Sequence, residues 1–262
     1  MKISRLTWLL PIFLVSVCLQ AQNTAGKIFY TESIKLQIDL DENAPEEMKK
    51  MLPPEQKISK VLTFNEKASL YKNAGAADEG NVDLRHNDDD GGEMNIVIKM
   101  PEVVQYTDFE NENWLRAEDF FGRQFLVSGD SKKMVWKLTG EQKKINEFVC
   151  QKAVLQDSTQ QVVAWFTPQI PVAGGPGRFV GLPGMVLDLE MDGGNRSIKV
   201  TKIEFKPVAD AEIVCPTEGK AVTEPEFEKI RDEKLKEMGI ETGGKPGGAR
   251  VKMIIQNDDQ RN

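Results

Sequence analysis

Histidine is almost absent from this chain: His86 is the only one in 262 residues. A Ser-His-Asp or Cys-His mechanism would have to draw its base from that one side chain. His86 stands in Leu84-Arg85-His86-Asn87, beside an acidic stretch, which suits a surface histidine. Cysteine is scarce too, limited to Cys18, Cys150 and Cys215. Their spacing is wrong for a zinc site, and His86 is the only histidine that could assist. Positive charge is in deficit, with 34 Lys+Arg against 41 Asp+Glu and a net charge of −7. That balance argues against nucleic acid, whose phosphates demand cations. A phosphate cradle is also missing. Gly174-Gly175-Pro176-Gly177 lacks the Gly-Lys-Ser/Thr ending of a P-loop, and Pro176 removes a backbone N–H.

Long apolar runs are limited to one. Leu6 to Leu19 follows the basic start Met1-Lys2-Ile3-Ser4-Arg5 and precedes Gln20-Ala21. Basic, apolar and small-residue regions in that order read as a secretory signal over residues 1–21, cleaved after Ala21. The run is shorter than the ~20 residues of a membrane span. The competing reading makes Cys18 a lipidated residue, which would anchor the protein to a membrane; Val17 is bulky where a small residue is expected. With Cys18 removed, Cys150 and Cys215 remain as an even pair in an oxidising compartment. A disulfide between them is expected, worth ~4 kcal/mol in the chain-entropy model. Two free thiols are the alternative.

What is present is strand. Gly26 to Asp39 alternates Ile34, Leu36 and Ile38 with polar residues, a half-buried antiparallel strand. Ile58 to Tyr71 reads as two strands around a turn at Asn65-Glu66-Lys67. Strand patterns recur at 95–100, 103–109, 123–128, 134–138, 148–155, 161–167, 184–191 and 197–205. The fold class is therefore mainly all-β, an antiparallel meander forming a curved sheet, half-barrel or sandwich. Two helices are expected. A short one lies near 45–51, where Asn43 and Pro45 set its start and Pro53-Pro54 its stop. A second spans 224–238, opened by Thr223-Glu224-Pro225-Glu226 and ended by Gly239. One β-rich domain covers 22–240. Residues 73–95 form an acidic, flexible insertion, and 241–262 a flexible tail.

Candidate chemistry is thin. Asn87 to Glu93 gathers acids, but they are consecutive rather than in the alternating order of an EF-hand loop. A solvated loop is the simpler reading, and no metal or cofactor is expected. Trp114, Trp136 and Trp165, with Phe120, Phe121, Phe125, Phe166 and Phe179, suit a core or the lining of a ligand cavity.

The segment AWFTPQIPVAGGPGRFVGLPGMVLDLE, Ala164 to Glu190, joins two apolar strands through a Pro/Gly-rich loop. Its centre, Gly181-Leu182-Pro183-Gly184-Met185-Val186, resembles the hexapeptide of the GLPGLI family, small secreted proteins of Gram-negative bacteria. Phe148-Val149-Cys150-Gln151-Lys152-Ala153 resembles that family's aromatic-x-Cys-x-Lys-Ala segment, and Ala164-Trp165-Phe166-Thr167 its Ala-Trp-aromatic-Thr segment. Ile170-Pro171, Gly175-Pro176 and Phe179 fall where the family's Ile-Pro, Gly-Pro and Phe would. The resemblance implies export and a β-rich fold, but no catalytic residues.

Physically, Gly181 and Gly184 bracket Leu182-Pro183 in a turn. The loop either plugs one end of the sheet, with Leu182 and Trp165 buried, or presents a surface to a partner or ligand. The candidate interaction residues are Trp165, Pro171, Pro176, Gly181, Leu182, Pro183 and Gly184. The expected function is a periplasmic or cell-envelope binding or interaction module, not an enzyme. It would hold an envelope protein or an apolar small ligand. The alternatives are an envelope hydrolase using carboxylates, or an accessory protein of outer-membrane transport machinery.

Overall fold

The computed structural model describes residues 23–35, 37–39, 53–75, 82–87, 93–98, 102–131, 134–156, 161–237 and 250–252. Residues 1–21, read as a secretory signal, with Cys18, and residues 45–51, read as a short helix, lie outside the described residues, as does most of 241–262. The strands are β1 (Gly26–Lys35), β2 (Gln37–Asp39), β3 (Glu55–Phe64), β4 (Ala68–Asn73), β5 (Val82–Asn87), β6 (Glu93–Ile98), β7 (Val103–Asp108) and β8 (Asn113–Phe120). They continue with β9 (Arg123–Asp130), β10 (Trp136–Ile145), β11 (Phe148–Leu155), β12 (Val162–Thr167), β13 (Met185–Met191), β14 (Arg196–Phe205), β15 (Lys220–Thr223) and β16 (Arg250–Lys252). Among the described residues one α-helix, α1 (Glu224–Glu237), follows β15 directly.

Twelve strands form one sheet in the order β10-β11-β12-β13-β14-β1-β3-β4-β7-β8-β9-β15. Neighbours run antiparallel except β15, which pairs in parallel with β9. Two meanders, β3 to β9 and β10 to β14, are joined through β1. The sheet cannot be flat. β9 and β10 stand near opposite ends of the order, which in a flat sheet is about 48 Å at ~4.8 Å per strand. Yet only residues 131–135 connect them, a reach of about 20 Å. The sheet therefore curls until its ends approach, without closing into a barrel.

Turn chemistry fixes the hairpins. Asn65 Oδ1 accepts the backbone N–H groups of Lys67 (2.9 Å) and Ala68 (3.0 Å), making the β3–β4 turn where the sequence predicts it. Asp108 does the same between β7 and β8, accepting from Glu110 N and Asn111 N. Within residues 73–95, read from the sequence as an acidic flexible insertion, lies β5, and it pairs with β6, most of which falls in the strand read at 95–100; His86 pairs with Met94. Three residues of the tail pair as β16 with β2.

The main core fills the curl. Ile28, Tyr30, Leu62, Phe64, Phe166, Leu187 and Leu189 form its centre. A smaller core sits under α1, with Trp114, Phe125, Val127, Val222 and Phe227. On the other face of the sheet, Ala68 and Leu70 are covered by Ile213. Of the aromatics read as core or cavity lining, Trp114, Phe125, Phe166 and Phe179 are buried.

Candidate functional site

The loop 168–184 enters from β12 and leaves into β13. Thr167 starts it: its Oγ1 donates to Val149 O (3.0 Å) and accepts from Gln169 N (3.3 Å). Tight turns follow, with Val172 N donating to Ile170 O (2.9 Å), Gly174 N to Val172 O (2.7 Å) and Gly184 N to Leu182 O (2.7 Å). Each spans three residues, the γ-turn spacing. Longer bonds close the loop on the strand that follows: Met185 N to Ile170 O and Val186 N to Gly174 O. Two side chains of the sheet clasp it. Trp136 Nε1 donates to Val180 O (2.9 Å), and Tyr30 Oη to Val186 O (2.8 Å).

Glycine is obligatory at two points. Gly184 has φ +148°, and a Cβ there would stand 2.2 Å from Thr167 O. At Gly175 a Cβ would stand 2.4 Å from Phe179 O. Both leave room for another backbone and for nothing else.

The loop has two sides. Ile170, Val172, Gly174, Gly175, Pro176, Phe179, Val180, Leu182 and Gly184 are buried, while Pro168, Gln169, Pro171, Ala173, Gly181 and Pro183 are exposed. So the loop plugs the curl with one side and shows uncharged corners with the other. Trp165 is half-buried; Lys143 Nζ stands 4.4 Å from its ring centroid and bridges to Asp188 (3.0 Å). Of the candidate residues, Pro176, Leu182 and Gly184 thus belong to the plug, and Pro171, Gly181 and Pro183 to the outer corners.

The Cys150–Cys215 bond expected from the sequence is not formed, and both thiols are free. Cys150 is buried on β11, where burial first and the Asp188 charge second push its pKa up to about 11. Cys215 lies near Tyr106 of β7. Cys150 belongs to the main core inside the curl, whereas Tyr106 packs with Ala68, Leu70 and Ile213 on the other face, so the sheet stands between two thiols whose Cα atoms a disulfide would need about 4.4–6.8 Å apart.

The sequence reading missed the polar side chains inside the curl. Side chains alternate along a strand, so one register row lies on one face. Tyr71, Gln105, Arg116 and Val127 are successive cross-strand partners on β4, β7, β8 and β9. Glu32 is buried on β1. It accepts from Arg196 Nε (2.7 Å) and lies 3.8 Å from Lys60 Nζ. Burial foremost, then the Glu32 charge, holds the Tyr71 phenol well above its ordinary pKa.

At the other end of the row, Arg116 lies 2.8 Å from Glu118 and 3.7 Å from Glu224, and Glu224 also pairs with Arg178 of the loop. Burial raises the Glu118 pKa against the opposing pull of Arg116. The one available signal was the alternation Trp114, Arg116, Glu118, Phe120. It marks a single face, but nothing in it says that the charged face is the inner one.

Among the described residues, no group of three His, Cys, Asp or Glu is placed to hold a metal. No helix among them is long and apolar enough to cross a membrane. A surface cavity of about 430 Å³ opens between the β8–β9 turn and α1, lined by Phe120, Phe121, Phe125 and Ile230 among others.

A family described as "Protein of unknown function (Porph_ging)" matches residues 156–188. The matched segment holds β12 and the whole loop. No curated protein matches. Among solved structures, PNGF-II in its P21 and C2 crystal forms is similar, each with 16% identity and a TM-score of 0.50 over 79% of this chain. The likeness is one of fold. It covers 33% and 32% of those chains, so this chain spans about one third of their length.

Proposed function

We propose that this chain is an exported, non-catalytic interaction module of the cell envelope, resembling the GLPGLI family, that engages a partner protein through the outer corners of its Pro/Gly loop. The observation that carries this reading is the two-sided loop. Its buried side fixes the backbone, and its exposed side is uncharged. A rigid, preorganised loop loses little entropy on docking. Val149 extends the apolar surface beside it, since its N–H donates to Gln169 Oε1 and its side chain is exposed. An apolar carrier is less well supported, because the apolar part of the concave face is packed against the plug.

The test places a photo-crosslinking residue at Ala173 and, as a control, at Lys229 on α1. An adduct of one defined mass is expected in envelope fractions from Ala173 alone. Excess unlabelled protein should compete it away, and Pro171→Glu with Pro183→Glu should abolish it. Equal adducts from both positions would refute the reading.

A second reading, hydrolysis by paired carboxylates, draws on Glu118 and Glu224, which share Arg116. Both are engaged in ion pairs that tie loop, helix and sheet together, which favours a structural role. Under the second reading, Glu118→Gln would abolish a hydrolytic activity of envelope extracts that copurifies with the protein. Under the first, no such activity copurifies.

A further inference from the structure

The inner face of the sheet carries polar groups that the fold does not use. Gln105 and Thr107 lie two residues apart on β7, so both face inward, at 3% and 1% exposure. Gln105 Nε2 and Thr107 Oγ1 have no hydrogen-bond partner among the described residues. Tyr71, the cross-strand partner of Gln105 on β4, is also buried. Its hydroxyl lies against the Glu32 carboxylate, which accepts its O–H. That leaves Gln105 Nε2 and Thr107 Oγ1 as two unpartnered groups on one face, which is costly to keep dry. Buried polar groups in folded proteins are nearly always satisfied.

We propose that this inner patch of β4, β7 and β8 is a binding site for a small carboxylate-bearing ligand. The chemistry is donor-rich. The Gln105 amide offers two N–H groups, and the Thr107 hydroxyl can offer one. Arg116, the other cross-strand partner of Gln105, brings a fixed positive charge to the same row. A carboxylate, which only accepts, matches that set, and bonds to a charged acceptor are the stronger kind. The row leads outward through Arg116 to Glu224 and Arg178, which are partly exposed where the loop meets α1. The site is made of strand residues outside the loop and does not depend on the proposed partner surface.

Isothermal titration of the mature protein with sodium acetate and sodium succinate, against sodium chloride, tests the proposal. Saturable binding to at least one carboxylate is expected. Gln105→Leu and Thr107→Val should each weaken it about tenfold or more, as the loss of a hydrogen bond to a charged group does. Without ligand, Thr107→Val should melt about 2–4 °C higher, since it removes an unsatisfied buried hydroxyl. Gln105→Met, which keeps the length of the side chain without its N–H groups, gives a third variant if either of the others fails to fold. Absence of saturation in the wild type, or equal affinity in wild type and folded variants, would mean that the patch holds water only and overturns the proposal.

Discussion

Gly184 shows how much one position can hold. Its backbone is in a conformation that L side chains rarely adopt, and a Cβ would collide with Thr167 O. Gly184→Ala should destabilise the protein by about 2–4 kcal/mol in urea unfolding, whereas Gly181→Ala, with nothing within 4 Å of the added Cβ, should cost less. Asp108 makes a pH prediction. Hydrogen bonds from Asn111, backbone first and side chain second, hold its pKa below the ordinary 3.8. A lowered folded-state value stabilises the fold above the unfolded pKa, and that contribution is lost as pH falls through the folded one. The stability gap between wild type and Asp108→Asn should therefore be present at pH 7 and shrink below pH 3.8. The cysteines allow a mass measurement. Cys150 is fully buried, with its pKa near 11, so at pH 8 iodoacetamide should label Cys215 first. After unfolding without reductant both should label; failure of both would show the disulfide to form after all.

Among the elements, α1 was legible because its start is local chemistry. The Thr223 backbone N–H and hydroxyl both donate to Glu226 Oε2, at 2.7 and 2.8 Å. Glu226 thereby reaches back to the N–H of Thr223, as the Glu of a capping box does. Thr223→Ala should cost about 1 kcal/mol, read from the urea midpoint. The β3–β4 turn was legible for the same reason: Asn65 satisfies its own turn. Strands with clear alternation, such as β1 and β14, were also found. β8 and β15 were not. β8 alternates Trp114, Arg116, Glu118 and Phe120, mixing charge with aromatic on one face, so no apolar stripe marks it. β15 is four residues long, too short for a period to register. β5 was hidden by the acids around it, whereas most of β6 falls in the strand pattern at 95–100.

For the whole molecule, the two cores predict uneven stability. The main core includes side chains from both meanders and the loop, while the core under α1 rests on five buried residues. Hydrogen exchange should be slowest in β1, β3, β12, β13 and β14. It should be faster in β8, β9, β15 and α1, because local opening there exposes less apolar area. Uniform protection across both groups would mean that the curled sheet opens only as one unit.

The sequence alone determined what local physics decides: β-rich character from alternation, the capped helix, the Asn65 turn, and the tight Pro/Gly loop between two apolar strands. It also pointed to the segment on which the family match later fell. It could not decide which strands become neighbours or which way a polar face turns. The free state of Cys150 and Cys215 follows from their lying on opposite faces of the sheet, a long-range property. The inward placement of Glu32, Gln105, Thr107 and Arg116 follows from register. Polar residues alternating along a strand ordinarily face solvent, and only the curl of the sheet over the loop puts these inside.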